Sequence, residues 1–121
     1  MKYLALVYNN PGAFEALSQA ERDQLMSEAG VYIKEITESG ELVGQGFALA
    51  DPSAGRTVRV RNGVPAITDG PFAEAKEQLA GFYMLDAESL ERATEIVTGD
   101  PAARLWGVEV RPVMDTAGVE M

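Results

Sequence analysis

Tyr3-Leu4-Ala5-Leu6-Val7-Tyr8 is the stretch on which the fold turns. In an extended chain successive side chains point to opposite faces. Leu4, Leu6 and Tyr8 then share one face, and Tyr3, Ala5 and Val7 share the other. Both faces are apolar, so a strand here is covered on both sides. Gly81-Phe82-Tyr83-Met84-Leu85 repeats the pattern. Two such strands need one layer above the sheet and another below it.

The flanking segments supply one of those layers. Ser18 with Glu21 three residues later forms a capping box. Leu25, Ala29, Tyr32, Ile33 and Ile36 follow at the spacing of one buried stripe. A helix is predicted over residues 18–39, stopped by Gly40. Gly30 within it costs about 1 kcal/mol against alanine, so a close packing contact is expected there. A second helix is predicted over residues 86–97, with Asp86 as N-cap and Leu90, Ala93 and Val97 on its stripe. Gly99 and Pro101 end it. Residues 41–49 read as a strand weakened by Gly44 and Gly46, and residues 104–113 as the last strand. Residues 73–79 read as a helical turn or an ordered loop. Beyond Asp115 no pattern remains, and fraying is expected.

Residues 56–61 and 64–68 alternate on either side of Asn62-Gly63, the dipeptide of a type I′ hairpin turn. A two-residue turn pairs Val60 with Pro65 and Val58 with Ile67 on one face. Thr57, Arg59 and Arg61 take the other, with Thr68 opposite Thr57. Pro65 lacks an N–H, which predicts a sheet edge. The full order is strand, helix, strand, hairpin, strand, helix, strand. That is an α+β, ferredoxin-like split βαβ plan with an antiparallel sheet and a β-hairpin extension, in a single domain over residues 1–121. Two helices cover one sheet face only. A second copy packed sheet to sheet as a two-fold homodimer covers the other; the alternative is a monomer whose open face is a ligand groove.

The 121 residues carry 10 Lys and Arg against 19 Asp and Glu, a formal charge of −9. Such a chain lacks the basic footprint of a nucleic-acid binder and is repelled by anionic membranes. It has no Cys and no His. Thiol nucleophiles, disulfides, imidazole bases and the usual zinc ligands are excluded, so no metal and no cofactor are expected. The first apolar run is too short for a signal peptide, and a cytoplasmic protein without membrane contact is expected.

Asp69-Gly70-Pro71-Phe72, continuing as Ala73-Glu74-Ala75-Lys76-Glu77-Gln78-Leu79-Ala80-Gly81-Phe82-Tyr83, resembles the DGPF proteins of the YCII-related (YciI-like) family. The opening strand also matches, as does the stretch from Asp100-Pro101 to Pro112-Val113, so the resemblance covers nearly the whole chain. It implies a dimeric α+β barrel. Some relatives in the wider superfamily use a His–Asp pair in a cleft, and one kind removes chloride from a chlorinated hydroxyquinol. That pair does not carry over to a chain without His. The resemblance also implies a link to extracytoplasmic-function sigma factors, beside which DGPF genes lie and to which the domain is sometimes fused.

Asp69 is the candidate catalytic residue. Gly70 and Pro71 constrain the backbone that holds it, so it either aims a carboxylate as general base or caps the turn. In both readings it is partly buried and accepts hydrogen bonds from backbone N–H groups. Phe72 either walls an apolar pocket or belongs to the core. Lys76, beside Glu74 and Glu77, either binds an anion or lies on a solvated charged face. Arg59 and Arg61 offer a cationic patch for a small carboxylate or phosphate, or else protect a sheet edge. Tyr8 and Tyr83 present hydroxyls to a cleft or sit in the core with the O–H satisfied. Two functions remain open. One is a small-ligand-binding or regulatory accessory domain linked to a sigma factor. The other is a cofactor-free lyase or isomerase for a small anionic or aromatic metabolite, with Asp69 as base.

Overall fold

A computed structural model describes residues 1–71 and 76–121. Its elements run β1 (Lys2–Asn9), α1 (Gln19–Glu38), β2 (Leu42–Ala48), a 3-10 turn (Pro52–Ala54), β3 (Arg56–Arg61), β4 (Val64–Asp69), β5 (Gln78–Asp86), α2 (Leu90–Thr98), α3 (Pro101–Leu105) and β6 (Gly107–Pro112). The main sheet has the order β2-β5-β1-β6, every neighbouring pair antiparallel. The two strands apolar on both faces, β1 and β5, occupy its centre, which is the ferredoxin-like arrangement expected.

One face of the sheet carries the core. Tyr3, Ala5, Tyr83 and Leu85 meet Tyr32 and Ile36 of α1 and Ala93, Ile96 and Val97 of α2. Leu85 is fully buried, which contributes roughly 1.5–3 kcal/mol by area removed from water. On the other face Leu4, Tyr8, Phe82 and Met84 are only half-buried, and Phe47 is half-exposed with its ring 5.5 Å from that of Phe82. No helix of the chain lies over those rings among the described residues.

The ends of α1 follow the sequence. Ser18 Oγ accepts from the Glu21 N–H at 3.1 Å, and Glu21 Oε1 accepts from the Ser18 N–H at 2.9 Å. At the far end Gly40 has φ +78°, and the Glu41 and Gly40 N–H groups reach back to Ile36 O and Thr37 O. A side chain is strained at that angle, which is why glycine stops the helix.

Other expectations change. Gly30 faces open space and marks no close contact. Ile33 and Leu90 are exposed, while Ile96 is buried. Asp86 does not cap α2; it ends β5 opposite Lys2, whose Nζ it binds at 2.7 Å, and Ser89 caps the helix instead. Asp100 caps a helix that the sequence reading missed, α3, with Pro101 in its first turn, so β6 starts at Gly107 rather than Arg104. Residues 78 and 79, read as loop or helical turn, belong to β5. The tail, read as patternless, carries a local turn. Asp115 Oδ1 accepts from the Ala117 and Val119 N–H groups, and Met114 pairs with Glu120.

The hairpin forms as read. Asn62 and Gly63 have φ +50° and +76°, and the pairs Val60↔Pro65, Val58↔Ile67 and Thr57↔Thr68 are those of a two-residue turn. It is a separate two-stranded sheet rather than an edge of the main one. Its base is fastened by Gly70 N–H to Gly55 O at 2.8 Å and Thr57 Oγ1 to Gly70 O at 2.8 Å.

A forked ion pair ties α2 to the entry of β2. Arg92 Nε donates to Glu41 Oε2 at 3.0 Å and Nη2 to Oε1 at 2.8 Å. The guanidinium bonds hold the Glu41 carboxyl below its ordinary value of 4.5. A depressed carboxylate stabilises the fold above its unfolded value and loses that contribution as pH falls through its folded value. The thermal midpoint should therefore drop as pH goes from about 5 to about 3, and less steeply in Arg92→Ala. Equal slopes for the two proteins would remove Glu41 from the account.

Candidate functional site

A cleft of about 470 Å³ opens where the first turns of α1 separate from the sheet. Ala13 and Phe14 of the preceding turn, Leu25 and Met26 of α1, the end of β2 and the start of β5 surround it, with Trp106 at one side. The walls are mainly apolar. Asn9 and Gln78 give it a polar end, where Gln78 Nε2 donates to Asn9 Oδ1 at 3.3 Å. A shift in the β1–β5 pairing after Val7 brings these two opposite each other. The bond leaves the Asn9 amide donors and the Gln78 carbonyl open to a ligand.

Residues 49–51 and 78–79 are shared with a wider, more open basin of about 920 Å³, whose far wall includes Ser53, Arg56, Pro71 and Glu77. Asp51 stands at the junction. Its Oδ1 accepts from Ser53 Oγ at 2.7 Å and from the Ser53 N–H at 2.9 Å. These bonds, the hydroxyl's first, hold its carboxyl below the ordinary range. Asp51 is thus kept ionised, which makes it a better acceptor for a ligand N–H or O–H than a base for a carbon acid.

The residues singled out from the sequence are not brought together. Asp69, expected to be partly buried, is 90% exposed, and its Oδ1 lies 3.5 Å from Arg56 Nε across the ribbon. Asp69 does not line the basin, whereas its ion-pair partner Arg56 does. Arg59 and Arg61 lie farther along β3 and do not line either space, and Lys76 is exposed outside both. Tyr8 is half-buried on β1 and does not line the cleft. Phe72 and Glu74 lie outside the described residues. Tyr83 does not face a cleft. Its hydroxyl is buried, donates to Asp100 Oδ2 at 2.8 Å and stands 2.7 Å from the Tyr32 hydroxyl.

With Asp100 as acceptor at one end, the order is Tyr32 O–H to Tyr83 O–H to carboxylate. Burial pushes the Tyr32 phenol up to about 12 and raises Tyr83 further still, with the Asp100 charge adding to both. Neither phenol can exchange a proton readily near neutral pH, so this chain of bonds holds the core rather than moving protons. Tyr32 was read only as part of the buried stripe of α1, and Asp100 escaped the sequence reading, although Asp before Pro is a helix-start signal that could have marked it. Among the described residues no three acidic side chains converge on a point that could hold a metal ion.

The sheet order and the helices on one face define a ferredoxin-like α+β domain of the dimeric α+β barrel kind, with a mainly apolar cleft at one end. The chain belongs to the YCII-related family, whose domain model matches residues 1–117. It is 34% identical over 117 residues to an uncharacterized protein of Rhizobium meliloti (strain 1021), covering 93% of this chain and 92% of that one. Among solved structures it resembles 5-chloro-2-hydroxyhydroquinone dehydrochlorinase of Burkholderia phenoliruptrix AC1100, in complex with 2,5-dihydroxybenzoquinone. That likeness has a TM-score of 0.53 at 15% identity and covers 99% of this chain and 100% of the other. No helix among the described residues is long and apolar enough to cross a membrane.

Proposed function

We propose that the chain is a small-molecule-binding domain. It takes a compact, mostly apolar ligand with a polar edge into the cleft between α1 and the sheet. The observation that carries this reading is the cleft's composition: mainly apolar walls with the Asn9–Gln78 amide pair, Glu15 and Asp51 as their few polar groups. Sites of this size with few, fixed polar groups are the usual form of small-ligand pockets. Binding is favoured over catalysis because Asp51, one of two acidic residues lining the cleft with Glu15, is held ionised by Ser53, and Asp69 is in solvent. In this reading the domain works in the cytoplasm as a homodimer, the open sheet face against its partner, and its ligand tunes a regulatory partner such as a sigma factor.

Trp106, the single tryptophan, lines the cleft and reports on it directly. Titration with 2,5-dihydroxybenzoquinone and with simple phenols should give saturable quenching of its emission for at least one of them. Ala13→Phe, which fills the cleft from the turn before α1, should abolish saturation. Quenching that stays linear in every titration, or that saturates equally in Ala13→Phe, overturns the reading.

The lyase reading keeps one support. The solved dehydrochlorinase that shares this fold is shown with a dihydroxybenzoquinone. Under that reading Asp69→Asn abolishes turnover of a chlorinated hydroquinone while leaving Trp106 quenching intact.

A further inference from the structure

We propose that the β3–β4 ribbon is an arm that lies against a second copy of the chain, with Val58, Val60, Pro65 and Ile67 as its apolar contact face. The inference rests on the homodimer reading above and assigns the ribbon a place in it.

Three observations carry the assignment. The ribbon forms a sheet of its own, and its pairing is with itself. Two strands without a third layer are marginal in water. Its cross-strand pairs put Val58 beside Ile67 and Val60 beside Pro65 on one face, and Val58, Val60 and Ile67 are about 60% exposed in the single chain. Isolated exposed valines are ordinary, but an apolar row across both strands of a projecting ribbon is a contact surface.

Charge then selects the occupant. Residues 56–69 hold three arginines and one aspartate, a net +2, which leaves −11 on the rest of a chain whose total is −9. Arg59 and Arg61 lie on the ribbon face opposite the apolar row, so the charge acts at a distance: it draws a cationic arm toward another acidic body while the apolar row makes the contact. Among the described residues no helix covers the apolar sheet face at Phe47, Phe82 and Met84, where Phe82 and Met84 are half-buried and Phe47 is half-exposed. A two-fold axis meets both needs at once, because each copy offers an arm and receives one.

The chain has no Cys and folds its ribbon through local hydrogen bonds, so surface variants there leave the body intact. Sedimentation of the wild type should give a dimer of about twice 13.0 kDa. Val60→Glu combined with Ile67→Glu should weaken dimerisation at least tenfold, with the circular dichroism spectrum unchanged. Val31→Glu, at an equally exposed position on α1, should leave the dimer as it is. Hydrogen exchange at residues 56–69 should slow as protein concentration rises through the dimerisation range. A wild type that is monomeric at all concentrations overturns the dimer reading and the arm with it. A wild-type dimer that survives the double variant, with ribbon exchange independent of concentration, overturns the arm alone. A ribbon protected in a monomer shows it folded onto its own chain and also overturns the proposal.

Discussion

Asp100→Ala should destabilise the protein by about 2–4 kcal/mol. The carboxylate serves two structures at once. Oδ1 caps α3 through the Ala102 N–H at 2.8 Å, and Oδ2 receives the Tyr83 hydroxyl at 2.8 Å. Loss of a cap costs about 1 kcal/mol. A buried hydrogen bond to a charged group accounts for about 1.5–3 kcal/mol more, since the two phenols lose the carboxylate that accepts their shared chain of protons. Asp100→Asn should be much milder, near 1 kcal/mol, for a reason of direction. The asparagine oxygen keeps the cap while its amide donates to the Tyr83 oxygen; the Tyr83 O–H then turns to the Tyr32 oxygen, and the Tyr32 O–H turns away from Tyr83. Urea unfolding of both variants separates the outcomes. Equal losses would mean that the charge, and not the supply of donors and acceptors, is what the site requires.

Gly81→Ala should cost about 1–3 kcal/mol and reshape the cleft. A Cβ at Gly81 would sit 2.7 Å from Phe47 O and 3.5 Å from Ala48 Cα, both backbone of the neighbouring strand. Backbone cannot swing aside as a side chain can, so the end of β2 must move. That end contributes residues 47–50 to the cleft. The variant should therefore shift Trp106 emission as well as the unfolding midpoint. A destabilised protein with unaltered emission would confine the strain to the sheet.

Gly81 also shows where sequence reading stops. Its strand was plain because both faces are apolar, which is a local property; its place beside β1 followed only from the ferredoxin-like plan. The α1 cap, the Gly40 stop and the hairpin register were legible for the same reason: each is decided within four or five neighbouring residues. That Gly81 must be glycine was not legible, since the obstacle is Phe47, 34 residues away. The site was harder still. Asn9 and Gln78 meet through a slip in strand pairing that leaves no mark in either segment. Asp69 looked committed because Gly70 and Pro71 constrain it, but a constrained backbone fixes where a side chain starts and not whether anything covers it. Its exposure follows from the ribbon standing apart as a second sheet, a tertiary fact. The family resemblance carried the fold across that gap and left the chemistry where the residues put it.

The sheet's order has a consequence for how the chain is made. β1 is the first strand synthesised and lies between β5 and β6, so its partners are residues 78–86 and 107–112. At a ribosomal pace of about 5–20 residues per second, β1 waits roughly 5–20 s for its second neighbour. Through most of that interval, until residues 78–86 arrive, a segment greasy on both sides has nothing to pair with. The ribbon and α1 can form early from local signals, but closure of the centre must wait for residues 107–112. Yield on expression should therefore depend on how the β1 segment is sheltered until then, and not only on the stability of the finished domain.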